Sequence, residues 1–171
     1  MSFMDLCKSR YSTRKFTDKT VEQEKLDYIL EAGRIAPTGR NLQPQKVYVI
    51  KSAEAVAKVR EAAAPMGYNA PMMLVVGYDK NISAKADVWG ETYDLGESDA
   101  VIVATSMMYA AEDVGIGTLW ARGFNSRKVA KALDLPDNIE VVCLLDLGYS
   151  DCEPSPKHFD RKPLAETVVE L

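Results

Sequence analysis

The sequence predicts an α/β or α+β sandwich, and three observations carry that expectation. Helical and extended patterns alternate along all 171 residues, as layered folds require. EVVCLLDLGY, 140–149, is the most apolar of the short β-prone runs and reads as a central strand. The helical pattern from about Tyr93 to Val114 ends in AVIVATSMMYAA, small or apolar on nearly every side, as a buried central helix should be.

Taken in order, Ser2 caps a short helix through Lys8. RYSTRKF, 10–16, alternates and carries β-formers, so it reads as extended. Thr-Val-Glu-Gln from Thr20 has the capping-box spacing to Gln23 and opens a helix with Leu26, Ile29, Leu30 and Gly33 on one face. That helix stops before Pro37, and PTGRNLQPQ, 37–45, is a loop. VYVIK, 47–51, is a strand; Ser52 and Glu54 open a helix to about Ala64. A break at Pro65, Gly67, Asn69 and Pro71 precedes a strand at 72–78. The polar stretch 81–90 has no evident element. Gly115 ends the long helix, TLWAR at 118–122 is a strand, and Asn125 or Ser126 caps a helix to about Leu133. The last twenty-odd residues are charged and Pro-rich, without a clear element.

Length favours one domain over 1–171. Hydrophobic residues make up 47% and charged residues 27%, ordinary for a soluble globular chain. With 21 Lys+Arg against 25 Asp+Glu, the basic footprint of a general nucleic-acid binder is missing. Cys7, Cys143 and Cys152 are scattered and odd in number, which suits a reduced, cytoplasmic setting. No apolar run reaches membrane-spanning length, and Met1 to Lys19 lacks the apolar core of a signal peptide.

Against this acidic background RYSTRKF concentrates cations. In an extended chain Arg10, Ser12 and Arg14 share a face, presenting two guanidinium forks and a hydroxyl suited to phosphate or carboxylate. Such runs are more often solvated strand edges that discourage aggregation. PTGRNLQPQ offers backbone N–H groups and amides to a planar polar ligand, although a plain connector is the commoner use of such a loop. GIGTLWARG, 115–123, contains Gly-x-Gly, but here a helix comes first and a strand follows, the reverse of a dinucleotide fingerprint. PKHFDRKP, 156–163, gathers Lys157, His158, Arg161 and Lys162, either as a polar tail or as a second basic group for one anion. The single histidine leaves no pair for a metal, and neither a GxSxG nor a P-loop pattern occurs. A chain with basic clusters and no evident nucleophile commonly borrows its chemistry from an anionic cofactor.

Arg10-x-Ser12-x-Arg14-x-Phe16, then Ala36-Pro37-Thr38-Gly39-x-Asn41-x-Gln43-Pro44, resembles the N-terminal signature of the FMN-dependent nitroreductase family. The run Ala110 to Thr118 resembles that family's central dimer helix and following strand, and Arg161-Lys162-Pro163-Leu164 its C-terminal phosphate-binding element. The likeness spans most of the chain, in order, as in a short-form member. It implies an α+β fold: a three-layer α/β/α sandwich with a mixed, mainly antiparallel sheet and a buried dimer helix. It implies a homodimer with FMN at the interface, reduced by NADH or NADPH, and then a small-molecule acceptor entering the same pocket in a ping-pong hydride mechanism. Nitroaromatics, quinones or related acceptors are the implied substrates. A dehalogenase, a heterocycle dehydrogenase and a flavin-binding sensor or storage protein are the alternatives. Neither nucleic acid nor membrane is an implied partner, and 150–171 is expected to contact the partner subunit.

By the same resemblance Arg10 and Ser12, with Tyr11 between them, hold the phosphate and ribityl end, and Arg161 is a second phosphate ligand. Arg14 lies near the pyrimidine edge of the flavin. Pro37, Thr38, Asn41 and Gln43 reach the flavin from the partner subunit, and Trp120, Ala121, Arg122 and Gly123 pass along its ring system. No catalytic acid or base is implied. Tyr11, Gln45 and Phe159 depart from the family pattern; Phe159 replaces a frequent lysine, for which Lys157 or Lys162 is the substitute. Arg40 and Arg122 are additional cations near the expected pocket, suited to an anionic acceptor or the phosphate of NADPH. Arg10 and Arg14, four residues apart, lie about 13 Å from each other in an extended chain, too far to grip one phosphate together but comparable to the length of FMN.

Overall fold

The computed structural model describes residues 2–66 and 68–171; Met1 and Gly67, which belong to the leader and break readings above, lie outside the described residues. Helix α1 (Phe3–Ser9) is capped by Ser2, whose hydroxyl accepts from the Asp5 N–H while Asp5 returns to the Ser2 N–H. Helix α2 (Gln23–Arg34) starts later than the Thr20 capping box implies. The tertiary fold overrides the local signal: Val21 is buried with the chain still extended, and the Glu22 carboxylate takes the Tyr149 hydroxyl at 2.6 Å.

Strands β1 (Gln45–Ile50), β2 (Met72–Asp79), β5 (Gly117–Ala121) and β6 (Ile139–Gly148) form one sheet in the order β1-β2-β6-β5. β6 is interior, as its apolarity predicts, and every pairing among the four strands is antiparallel. The parallel component comes from RYSTRKF: Ser12 bridges Thr118, and the Thr13 N–H donates to the Thr118 carbonyl at 2.8 Å.

Alternation along the strands builds two cores. Leu74, Val76, Cys143 and Leu145 face α2 and α4 (Gly96–Asp113); Met73, Val75 and Leu144 face α3 (Ala53–Ala62) and α5 (Ser126–Ala132). Each fully buried Leu, Ile or Val contributes about 1.5–3 kcal/mol of transfer energy, so these two faces supply the main stabilisation. The β2–β6 register shifts at Val76/Gly77, leaving Val142 as the extra residue of a bulge.

Two further sequence expectations differ from the structure. Within the stretch 81–90, residues 85–90 belong to a hairpin of β3 (Lys85–Val88) and β4 (Glu91–Asp94), turning at Trp89 and Gly90 with φ of +52 and +84, as a type I′ turn requires. The long helix therefore begins at Gly96, not Tyr93, because 91–94 pair across the hairpin. Its end is as expected. The Gly115 N–H reaches Glu112 O at 3.0 Å and the Ile116 N–H reaches Ala111 O at 2.8 Å, a complete Schellman pair around a glycine at φ +72. The C-terminal segment has two short 3-10 turns, Pro156–His158 and Leu164–Glu166.

Candidate functional site

RYSTRKF follows α1 and runs along the edge strand β5. Thr13 and Phe16 are buried, Arg10, Tyr11 and Ser12 are half-buried and Arg14 is exposed; the strict alternation therefore ends at Arg14, since Phe16 turns inward. The C-terminal segment crosses in front of them. It is fastened by the Tyr11 hydroxyl, which donates to the Cys152 carbonyl at 2.5 Å, by the Ser150 hydroxyl on the Lys15 carbonyl at 2.8 Å, and by His158 Nε2 on the Lys8 carbonyl at 2.9 Å. The Tyr11 and His158 rings meet edge to face at 6.3 Å.

Between the two segments lies an open cleft of about 410 Å³. Arg10, Tyr11, Ser12 and Arg14 form one wall; Ser155, Lys157, His158 and Arg161 form the other. No carboxylate lines it, and none of Arg10, Arg14, Lys157 or Arg161 is in an ion pair among the described residues. Arg14 is steadied by the Ser12 carbonyl at 3.2 Å and Arg161 by the Asp160 carbonyl at 3.0 Å; both contacts use guanidinium donors without neutralising the charge. Cations left unpaired around a concavity form an anion site: each charge-assisted hydrogen bond to an incoming anion is worth about 1.5–3 kcal/mol. Lys157 lines the cleft, whereas Lys162 is drawn off to Glu166 at 3.6 Å. His158 belongs to the basic run 156–163 that the sequence marks as a second group for one anion, whereas Ser155, just before that run, is a wall residue without a sequence signal.

The loop 37–45 lies outside this cleft. Arg40, Asn41 and Gln43 have φ of +54, +56 and +52. Asn tolerates the left-handed region, but for the others such a conformation costs on the order of 1–3 kcal/mol and survives only where the surroundings impose it. Asp99 and Thr38 impose it here: buried Asp99 accepts the Gly39 N–H at 2.8 Å, and the Thr38 hydroxyl accepts the Gln43 N–H at 3.0 Å. Asp99 was invisible to sequence reading, because an acid in a helix's first turn is ordinarily a partner of the helix dipole. Pro37, Thr38, Asn41 and Gln43 thus sit together on a strained, fastened loop, but not with Arg10.

The 120–123 segment is also apart from the cleft. Trp120 is 36% exposed on the edge strand, while the Ala121 side chain is buried in the second core. Arg122 is engaged: its guanidinium donates to the bulge carbonyl of Val142 and to Glu97 at 2.7 Å. Arg122 is therefore a structural tie across the bulge rather than a free cation. Cys143 is fully buried and its thiol is pushed up to about 12, so it supplies no thiolate at neutral pH. Among the described residues no His/Cys/Asp/Glu group could hold a metal, and no helix is long and apolar enough to cross a membrane.

The model of the Nitroreductase family matches residues 7–66 and 61–149. A nitroreductase family protein from Clostridium difficile 630, solved by crystallography, superposes with a TM-score of 0.90 at 37% identity, covering 99% of this chain and 98% of that one. A protein of Archaeoglobus fulgidus named putative NADH dehydrogenase/NAD(P)H nitroreductase is 30% identical over 147 residues, 82% of this chain and 81% of that one. A second Clostridium difficile structure, described as an FMN-dependent nitroreductase, superposes with a TM-score of 0.77 at 28% identity over 92% of this chain and 95% of that one.

Proposed function

This chain belongs to the nitroreductase family, and from that premise we propose that it is an FMN-dependent NAD(P)H oxidoreductase, acting as a homodimer on nitroaromatics, quinones or related acceptors. One observation carries the reading: Arg10, Arg14, Lys157 and Arg161, all without carboxylate partners among the described residues, line one cleft with Ser12. That donor set fits a ligand carrying a permanent dianion, as FMN does through its phosphate. When bound, FMN supplies the hydride chemistry between nicotinamide and acceptor, which the protein's own side chains do not provide.

The residues then divide by what they can hold. Arg10 and Ser12, with Arg161 opposite and Tyr11 as their support, bind the phosphate and the polyol end. Arg14 offers its remaining donors at the far end of the same strand, where a fixed cation favours the growth of negative charge. Thr38, Asn41 and Gln43, beside Pro37, serve the site of the partner subunit, a role supported by the fastened loop that presents them together. Trp120 to Gly123 lie along the ring system through backbone groups, a role supported by the edge position of β5 and the burial of Ala121.

Homodimerisation is supported by apolar surface that a single chain leaves uncovered. Phe3 and Met4 on α1 and Ile102 on α4 are exposed, as are Leu164, Val168 and Val169 in the 150–171 segment, which we assign to contact with the partner. A cytoplasmic setting accords with three unbridged cysteines.

The visible absorption spectrum of the purified protein tests the reading. Flavin bands, FMN identified after acid release, and oxidation of NADH or NADPH with a quinone are expected. A colourless protein that fails to take up added FMN overturns it.

A further inference from the structure

We propose that His158 is an anion ligand of the cleft that takes up a proton as phosphate binds, making the hold on the cofactor pH-dependent; this rests on the FMN reading above. The wall formed by the C-terminal segment places His158 beside Lys157 and Arg161 and opposite Arg10 and Arg14. Its Nε2 is 2.9 Å from the Lys8 carbonyl. A carbonyl only accepts, so Nε2 carries the hydrogen, and Nδ1 is the one ring nitrogen left for a ligand. A neutral imidazole would offer a lone pair there, which repels a phosphate oxygen. Only the imidazolium donates from both nitrogens.

Phosphate bound at Nδ1 therefore brings a proton with it from solvent. Nδ1 gains an N–H, which donates to the phosphate, and no other bond changes. The ring is also held in place, by the Tyr11 ring edge to face at 6.3 Å and by the Phe159 ring at 4.9 Å, so little ordering is left to pay for on binding. The titratable and charged groups that line the cleft with it are Arg10, Tyr11 and Arg14 from the extended strand, and Lys157 and Arg161 from its own segment; α1 presents the Lys8 carbonyl. The contact through Nδ1 exists only while the ring carries a proton on both nitrogens, whereas the arginines and the lysine donate in every state.

The test dilutes the flavin-loaded protein and follows FMN release by fluorescence from pH 5.5 to 8.5, for the wild type and His158→Gln. Glutamine keeps a donor for the Lys8 carbonyl but cannot become a cation. Because the phosphate itself titrates near pH 6, the quantity to read is the ratio of the two affinities at each pH. It should be about tenfold or more at the acid end of the range and fall towards one at the alkaline end. His158→Arg should restore affinity at high pH and abolish the pH-dependence of the ratio, and it serves as the test if the glutamine variant does not fold. A ratio that stays constant with pH, or equals one throughout, overturns the proposal. If the protein holds no FMN, the same ratio read with inorganic phosphate decides for or against His158, while the cofactor reading fails separately.

Discussion

The Tyr11 hydroxyl donates to the Cys152 carbonyl at 2.5 Å, joining residues 141 positions apart. This bond, with the Ser150 hydroxyl on the Lys15 carbonyl and His158 on the Lys8 carbonyl, lays the strand bearing Arg10 against the segment bearing Lys157 and Arg161, so a charged site is assembled from both ends of the chain. Tyr11→Phe removes the bond and leaves the ring. The lost hydrogen bond costs about 0.5–1.5 kcal/mol, so FMN affinity should fall by roughly 2- to 12-fold, measured by flavin fluorescence titration. Unchanged affinity would mean that the C-terminal segment is held without Tyr11.

Arg10→Ala tests the cleft directly. Arg10 has no carboxylate partner among the described residues, so its removal breaks no ion pair there. Loss of one charge-assisted phosphate contact should weaken FMN binding by about 1.5–3 kcal/mol, or roughly 10- to 150-fold. The melting temperature without cofactor should stay close to that of the wild type. Wild-type affinity in a titration would remove Arg10 from the site.

Gly96→Ala should destabilise the protein although alanine is the better helix former by about 1 kcal/mol. A Cβ at position 96 would lie 2.1 Å from Cδ2 of the buried Tyr78 ring. Relieving that overlap requires the first turn of α4 to move away from β2, an overpacking cost of about 1–3 kcal/mol or more. At about 2–4 °C per kcal/mol for a chain of this size, thermal denaturation should show a loss of several degrees. A gain would show that Tyr78 yields easily.

Asp146 sits on the central strand β6, fully buried, with neither carboxylate oxygen hydrogen-bonded. Burial raises its pKa to about 7, against a smaller lowering by the charge of Arg60. The sign follows from linkage. The unfolded chain ionises this group near pH 4 and the folded chain only near pH 7, so stability is lost as pH rises between those values, by up to roughly 4 kcal/mol. Asp146→Asn removes the titration. Urea denaturation should therefore show the wild type losing stability relative to the variant from pH 4 to 7, with a constant difference above pH 8. Parallel profiles would place a partner on Asp146 in solution.

How much could be read before folding is clear from particular elements. Leu26, Ile29 and Gly33 on one face of α2, the Ser2, Ser52 and Asn125 caps, the Gly115 stop and the central place of β6 all follow from local pattern. Each depends on residues within a turn or two along the chain. The alternation Arg10-Ser12-Arg14 likewise put three polar groups on one side of an extended strand. Local pattern failed where distant atoms competed for the same backbone. Val21 and Tyr149 hold the chain extended past Thr20, and cross-strand pairing takes 91–94 from the helix. Arg122, which local charge marks as a free cation, is tied to Glu97 and Val142 by the approach of α4 to the bulge. The cleft is the furthest from sequence pattern: it depends on contacts spanning 141 and 150 residues, Tyr11 to Cys152 and His158 to Lys8, and neither periodicity nor spacing encodes which ends of a chain will meet. The residue types suited to an anion were legible in the chain, whereas their convergence on one ligand was set by packing.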